Sequence, residues 1–305
     1  MPITAKQVAD LRAKTGLGMM ECKKALTEAD GNEEEAIKIL REKGLAVADK
    51  KSSRIAAEGI VDIMYDEATK TAAMIEVNIE TDFAASNAVF GAFVKDLLKI
   101  ILDKKPADVE ALLALPFDAE QNVETALKNK VFEIGENINI RRFVTIEGTI
   151  ASYIHGKGSI GVMVKMADSA AADKAEFKDA AKNVALQIAA MKPAYLDKDS
   201  VPADVIKAEM EIIMAQIKND EKNANKPEAV LEKMVLGKIG KFYETNCLME
   251  QEYVKGDKES VSKYVANTAK ELKVTGFVRL AKGEGIEKKE EDDAAEVAKL
   301  AGGNN

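Results

Sequence analysis

The chain has 305 residues, 47% hydrophobic and 31% charged, which is the composition of a folded globular protein with room for about two domains and excludes collagen-like, mucin-like and wholly disordered chains. Its 52 acidic and 44 basic side chains leave a net charge of −8, which argues against a surface that grips nucleic acid or anionic lipid over most of its area. Cys22 and Cys247 are the sole cysteines and His155 the sole histidine, so zinc fingers, His-rich metal sites and a disulfide framework are excluded, and no cofactor is expected.

Lys6, Asp10, Arg12 and Lys14 interrupt the amino end, and nowhere do about eighteen apolar residues run together. The expectation is a cytoplasmic protein with no membrane contact. Residues 1–54, with 11 bases and 9 acids, read as three short helices and a linker. Thr4 and Gln7 form a capping box, Gly16-Leu17-Gly18 interrupts, Asn32 caps the third helix, Gly44 is expected to end it, and Lys50–Arg54 reads as the linker. Such a bundle resembles the ubiquitin-associated fold. In its first loop Met19 and Met20 either fill the bundle core or stand exposed beside the glycines.

From Gly59 the period changes to two. Val61, Ile63 and Tyr65 alternate, Asp66–Lys70 turns, and Ile75, Val77 and Ile79 alternate with Glu76, Asn78 and Glu80, predicting a hairpin with one buried face. Phe90, Phe93, Val94, Leu97 and Ile101 then space as an amphipathic helix that stops at Lys105-Pro106. A helix around Val123–Phe132 and a strand through Ile140, Phe143 and Ile146 complete a subdomain over 55–147. The plan repeats: strands over Gly148–His155 and Ser159–Lys165, then a helix over Ala171–Met191 that stops at Lys192-Pro193, which suggests an internal duplication. Segments 148–193 and 254–281 form the second subdomain, with a last helix near Ser260–Leu272 and a strand over Gly276–Ala281. Between them 194–253 reads as an antiparallel helical hairpin, an arm whose apolar seam is too narrow for a globular domain. Residues 282–305 are a C-terminal module and charged tail, mobile at its tip. The fold class is therefore α+β.

No Gly-x-x-x-x-Gly-Lys-Ser/Thr phosphate loop is present, and Gly156–Gly161 matches Gly-x-Gly-x-x-Gly but precedes strand-like residues, so it reads as a hairpin turn. Cys22 and His155 fall in different segments with no orienting third group, which leaves the search for a catalytic site nearly empty. Thr81-Asp82-Phe83 stands out at a strand exit. There Asp82 can cap the next helix, and Phe83 is either that helix's first packing residue, seven before Phe90, or a presented wedge.

Two runs, Leu11–Leu26 around Thr15-Gly16-Leu17-Gly18-Met19-Met20 and Glu76–Phe83 ending in Thr81-Asp82-Phe83, carry a resemblance over nearly the whole chain to the elongation factor Ts family, the exchange partners of the translational GTPase elongation factor Tu. Ile134–Arg142, Tyr153–Gly156 and Thr275–Arg279 are also similar to it. The resemblance implies an exchange factor without catalytic chemistry of its own. It implies that Arg12, Met19, Met20 and Lys23 dock on the GTPase's nucleotide domain, that Thr81, Asp82, Phe83 and Ala84 enter near its magnesium, and that Ile134, Gly135 and His155 lie at the contact surface. The partner it implies is elongation factor Tu, preferentially nucleotide-free, with no direct nucleic acid, the assembly being a heterotetramer or a homodimer. Ile79, Ala84 and Ser86 depart from the family's usual residues. An adaptor that binds regardless of nucleotide, or an enzyme using Cys22, are the competing readings.

Overall fold

A computed structural model describes residues 3–223 and 226–287. Most of the expected tail lies outside the described residues. The chain forms two compact units, one from the described parts of Met1–Met64, Ala73–Val144 and Ala281–Asn305, the other from Tyr65–Ala72 and Thr145–Leu280. Among the described residues no helix is long and apolar enough to cross a membrane.

The first unit opens with α1 (Ala5–Thr15), α2 (Met19–Glu28) and α3 (Glu33–Lys51). Thr4 and Gln7 make the expected capping box, and Asn32 accepts from the Glu35 amide at 3.2 Å. Val8, Leu11, Cys22, Leu26 and Leu40 close a small core, to which the partly buried Phe132 adds its ring. Gly44 does not end α3, which runs about two turns further and takes in Lys50 and Lys51, expected as linker. A Cβ at Gly44 would lie 3.4 Å from the Phe132 ring, so the glycine serves close helix–helix approach.

Strands β1 (Glu58–Asp66) and β2 (Thr71–Ile79) form the predicted hairpin. After it come α4 (Asp82–Ala85), α5 (Ala88–Lys104), α6 (Val109–Ala114), α7 (Val123–Ile134) and β3 (Ile138–Glu147), and the sheet order β1-β2-β3 places β2 in the middle. Ala73, Ile75, Val77 and Ile79 share a core with Phe90, Phe93, Val94, Leu97 and Ile101 of α5. A single buried face was the expectation, yet every residue of β2 is buried. On the opposite face the fully buried Glu76 binds Arg141 at 3.0 Å, Arg142 at 2.6 Å and the Gly283 amide at 2.7 Å, because a buried carboxylate must be fully partnered. Helix α6 was not anticipated; Asp108 caps it through the Ala111 amide at 2.8 Å.

The second unit pairs β4 (Thr149–His155) antiparallel with β5 (Ile160–Met166), from Thr149 opposite Met166 to His155 opposite Ile160. The Gly-rich stretch is indeed the turn, with Ser159 N donating to His155 O at 3.0 Å. Helix α8 (Ala175–Met191) starts four residues later than expected and covers β5 through Phe177, Val184 and Ile188. Next come α9 (Ala203–Asn219) and α10 (Glu228–Asn246), then α11 (Val261–Thr268), which leaves helical geometry at Ala269 short of Leu272, and β6 (Val274–Ala281). The order β4-β5-β6 again leaves the second hairpin strand central. In both units the covering helix ends at a lysine in the left-handed conformation, Lys105 (φ 47°) and Lys192 (φ 49°), each followed by proline. The two covering helices therefore stop in the same way, each in a unit with its own small antiparallel sheet, in an α+β fold.

Candidate functional site

Thr81 leaves β2 in extended conformation, and its hydroxyl, rather than the Asp82 carboxylate, caps the following turn by accepting from the Ala84 amide at 3.2 Å. A hydroxyl on the residue before the helix has that geometry, while Asp82 is already the first helical residue. The same hydroxyl donates to Glu136 Oε1 at 2.7 Å, and Thr81 N donates to Glu136 Oε2 at 2.9 Å. Glu80 reaches the other way, accepting from Asn137 N at 2.6 Å. Asn137 in turn donates its amide nitrogen to Arg54 O at 2.7 Å, and Arg54 lies 3.5 Å from Glu80.

On this turn Phe83 is 88% exposed, while Ala84 is buried in the α5 core. Phe83 and Phe90 do not share a face: Ser86 ends α4, and Asn87 starts α5 by accepting from the Val89 amide at 2.9 Å. Asp82 is exposed beside Phe83. Ile134, partly buried, ends α7, and exposed Gly135 caps it at φ 88°, a conformation that favours glycine. Lys51 Nζ donates to Gly135 O. The structure thus joins Thr81–Ala84 with Ile134 and Gly135, two runs far apart in sequence.

Arg12 and Lys23 are exposed on the bundle, as are Met19 (50%) and Met20 (62%), so the methionines are not core filler. Lys23 falls four residues after Met19 and three after Met20, which sets all three along one edge of α2. Cys22, on the buried face of the same helix, is fully buried with Sγ 3.7 Å from the Thr15 hydroxyl, which removes it as an accessible nucleophile. Burial also pushes the Cys247 thiol above its usual range. His155 belongs to the second unit, exposed at the end of β4, its Nδ1 sharing a 2.9 Å hydrogen bond with the Tyr153 hydroxyl. Among the described residues no group of three His, Cys, Asp or Glu side chains could hold a metal ion.

The sequence profile of the family described as Elongation factor TS matches residues 80–284, which begins just before the Thr81 turn and takes in the second unit's sheet and arm. Over 307 aligned positions the chain is 46% identical to Elongation factor Ts of Clostridium botulinum (strain Alaska E43 / Type E3), covering 98% of this chain and 99% of the relative. The chain belongs to the elongation factor Ts family. Elongation factor Ts of Clostridium kluyveri is 46% identical over 306 positions, 97% of this chain and 98% of that one. Membership in the elongation factor Ts family implies nucleotide exchange on elongation factor Tu during translation elongation, an exchange factor's role rather than a catalyst's. Thr81–Phe83 and Ile134–Arg142 are separate runs in the sequence, and the pairing of Glu80 and Thr81 with Glu136 and Asn137 across them is a long-range contact that no local spacing announces.

Proposed function

We propose that the chain binds elongation factor Tu in the cytoplasm, preferentially nucleotide-free, and speeds GDP release by disturbing the GTPase's magnesium and phosphate site with Asp82 and Phe83. One observation carries this reading: Phe83 is 88% exposed on a turn held in place by Thr81 and Glu136. A large ring kept in water forgoes about 2–3 kcal/mol of burial, and that amount is recovered when a partner covers it. Exposed Arg12 of α1 and the α2 edge of Met19, Met20 and Lys23 dock on the nucleotide domain, Ile134 and Gly135 extend the contact beside Phe83, and His155 contacts a further part of the GTPase. Ala84, being buried, supports the turn from beneath.

An exchange factor needs no acid, base or nucleophile. It needs differential affinity: by linkage, nucleotide weakens the factor's grip by the same free energy with which the factor weakens nucleotide binding. A thousandfold faster release takes about 4 kcal/mol off the barrier, within the range of one inserted aromatic together with lost phosphate and magnesium contacts.

The test is release of a fluorescent GDP from elongation factor Tu into excess unlabelled GDP, with this protein at substoichiometric amounts. Acceleration is expected for the parent and a loss of at least about tenfold for Phe83→Ala, whose melting curve stays within about 0.5 kcal/mol of the parent because the ring packs on little of its own chain. A folded Phe83→Ala that exchanges at the parental rate sinks the assignment. Binding of the parent without acceleration would instead favour an adaptor.

A further inference from the structure

Helix α4 has four residues, too few to hold its own orientation. Its first amide bonds end on Thr81: Ala84 N donates to the Thr81 hydroxyl and Ala85 N to Thr81 O at 3.1 Å. On its N-terminal side the turn that aims Phe83 is therefore set by Thr81, with buried Ala84 beneath it. Thr81 in turn gives both its backbone N–H and its hydroxyl proton to the two oxygens of one carboxylate, Glu136. That leaves the hydroxyl's lone pairs for Ala84, so one side chain fixes the rotor that caps the turn.

The arrangement is reciprocal. Glu80, next to Thr81, accepts from the amide of Asn137, next to Glu136. Two adjacent residues on each run thus exchange carboxylate-to-amide bonds, which are shorter and stronger than neutral ones. The Glu136 side is itself fixed, by the Gly135 cap of α7, by Lys51 on Gly135 O and by Asn137 on Arg54 O.

We propose that Glu136, assisted by Glu80, is a positioning residue for nucleotide exchange. The crossed clamp ties the turn that carries Phe83 to the end of α7 that carries Ile134 and Gly135, so both contact elements meet the GTPase as one rigid piece. This deepens the reading of Phe83 as a wedge and rests on it. Pre-setting the ring removes the ordering cost that a loose turn would meet at the moment of insertion.

Two readouts on the full-length protein test it: backbone amide hydrogen exchange of the free chain, and GDP release from elongation factor Tu at saturating factor. In Glu136→Ala the amides of Thr81 and Ala84 are expected to exchange at least about tenfold faster, while those of Phe93 and Leu97 in α5 stay as in the parent. The saturating release rate falls about tenfold. Glu136→Gln, whose side-chain oxygen still accepts from Thr81 N, recovers most of both. Adding Glu136→Ala to Phe83→Ala slows release no further, because the clamp acts through the ring. Should Glu136→Ala lower the melting temperature of the whole protein, Thr81→Val, which keeps the shape and drops the hydroxyl, replaces it in the same comparisons.

Unchanged protection at Thr81 and Ala84 overturns the proposal. So does a parental release rate despite lost protection, or full additivity with Phe83→Ala. A slow Phe83→Ala beside a parental Glu136→Ala overturns this proposal alone, whereas a parental Phe83→Ala overturns the wedge reading and this proposal with it.

Discussion

Single side chains on the first unit divide cleanly between holding and touching. Cys22 and Leu26 point into the bundle while Met19 and Met20 stand in solvent from the same ten-residue helix. Flexible, polarisable thioethers on an exposed edge suit a surface that must fit a partner. Replacing both, Met19→Ala with Met20→Ala, is expected to leave the denaturant midpoint of the free protein unchanged, since neither packs in the core. Affinity for elongation factor Tu should drop by about 2 kcal/mol in a titration, about thirtyfold in Kd. A lowered midpoint would place the methionines back among the packing residues. Ala84 is the opposite case, a small residue beneath the Phe83 turn. Its side chain packs in the core with α5 and not on the exposed surface.

At the level of helices and strands, the carboxylate of Glu76 joins three pieces of chain. It sits on β2, takes Arg141 and Arg142 from β3, and holds the Gly283 amide just past β6, while Arg141 also donates to Glu284 O at 2.6 Å. Glu76→Ala would leave both guanidinium groups short of their carboxylate, and a loss of about 3–5 kcal/mol is expected in chemical denaturation, with Glu76→Gln milder. A loss under about 1 kcal/mol would mean that solvent already reaches the cluster. This network also marks the limit of what periodicity reveals. The hairpins and α5 were legible because one apolar face repeats every second or every third and fourth residue. Glu76 and Asn78 read as solvent-facing for the same reason, since nothing local says that a distant basic pair and the Gly283 amide meet Glu76, or that Asn78 donates to Glu58 O and Glu76. Gly44 looked like a helix stop because a glycine's packing role depends on Phe132, far along the chain. For Phe83 the separation from Phe90 suggested a shared face, and the signal against it, Asn87 as a fresh cap, was present in the sequence but weak. The clamp between Thr81 and Glu136 had no local trace at all.

Over the whole chain, the arm is held differently from everything around it. Its helices α9 and α10 enclose their own apolar seam of Ile213, Ile217, Leu231, Val235 and Ile239. Its two roots meet where Ala194 N and Tyr195 N donate to Asn246 O at 2.9 and 3.0 Å, and Leu248 N donates to Tyr195 O at 2.9 Å. Replacing residues 203–240 by a short Gly-Ser link is expected to leave the α8 core of the second unit intact, with the melting temperature of the remainder within about 5 °C of the parent. Loss of cooperative unfolding in the shortened chain would show instead that the arm supports the core. Two chain ends already fastened side by side make a natural splice point. The arm is thus a cassette: a lineage can lengthen, trade or discard it, and an engineer can seat a foreign helical pair or a reporter there, without rewriting the sheet and helices that carry the rest of the molecule.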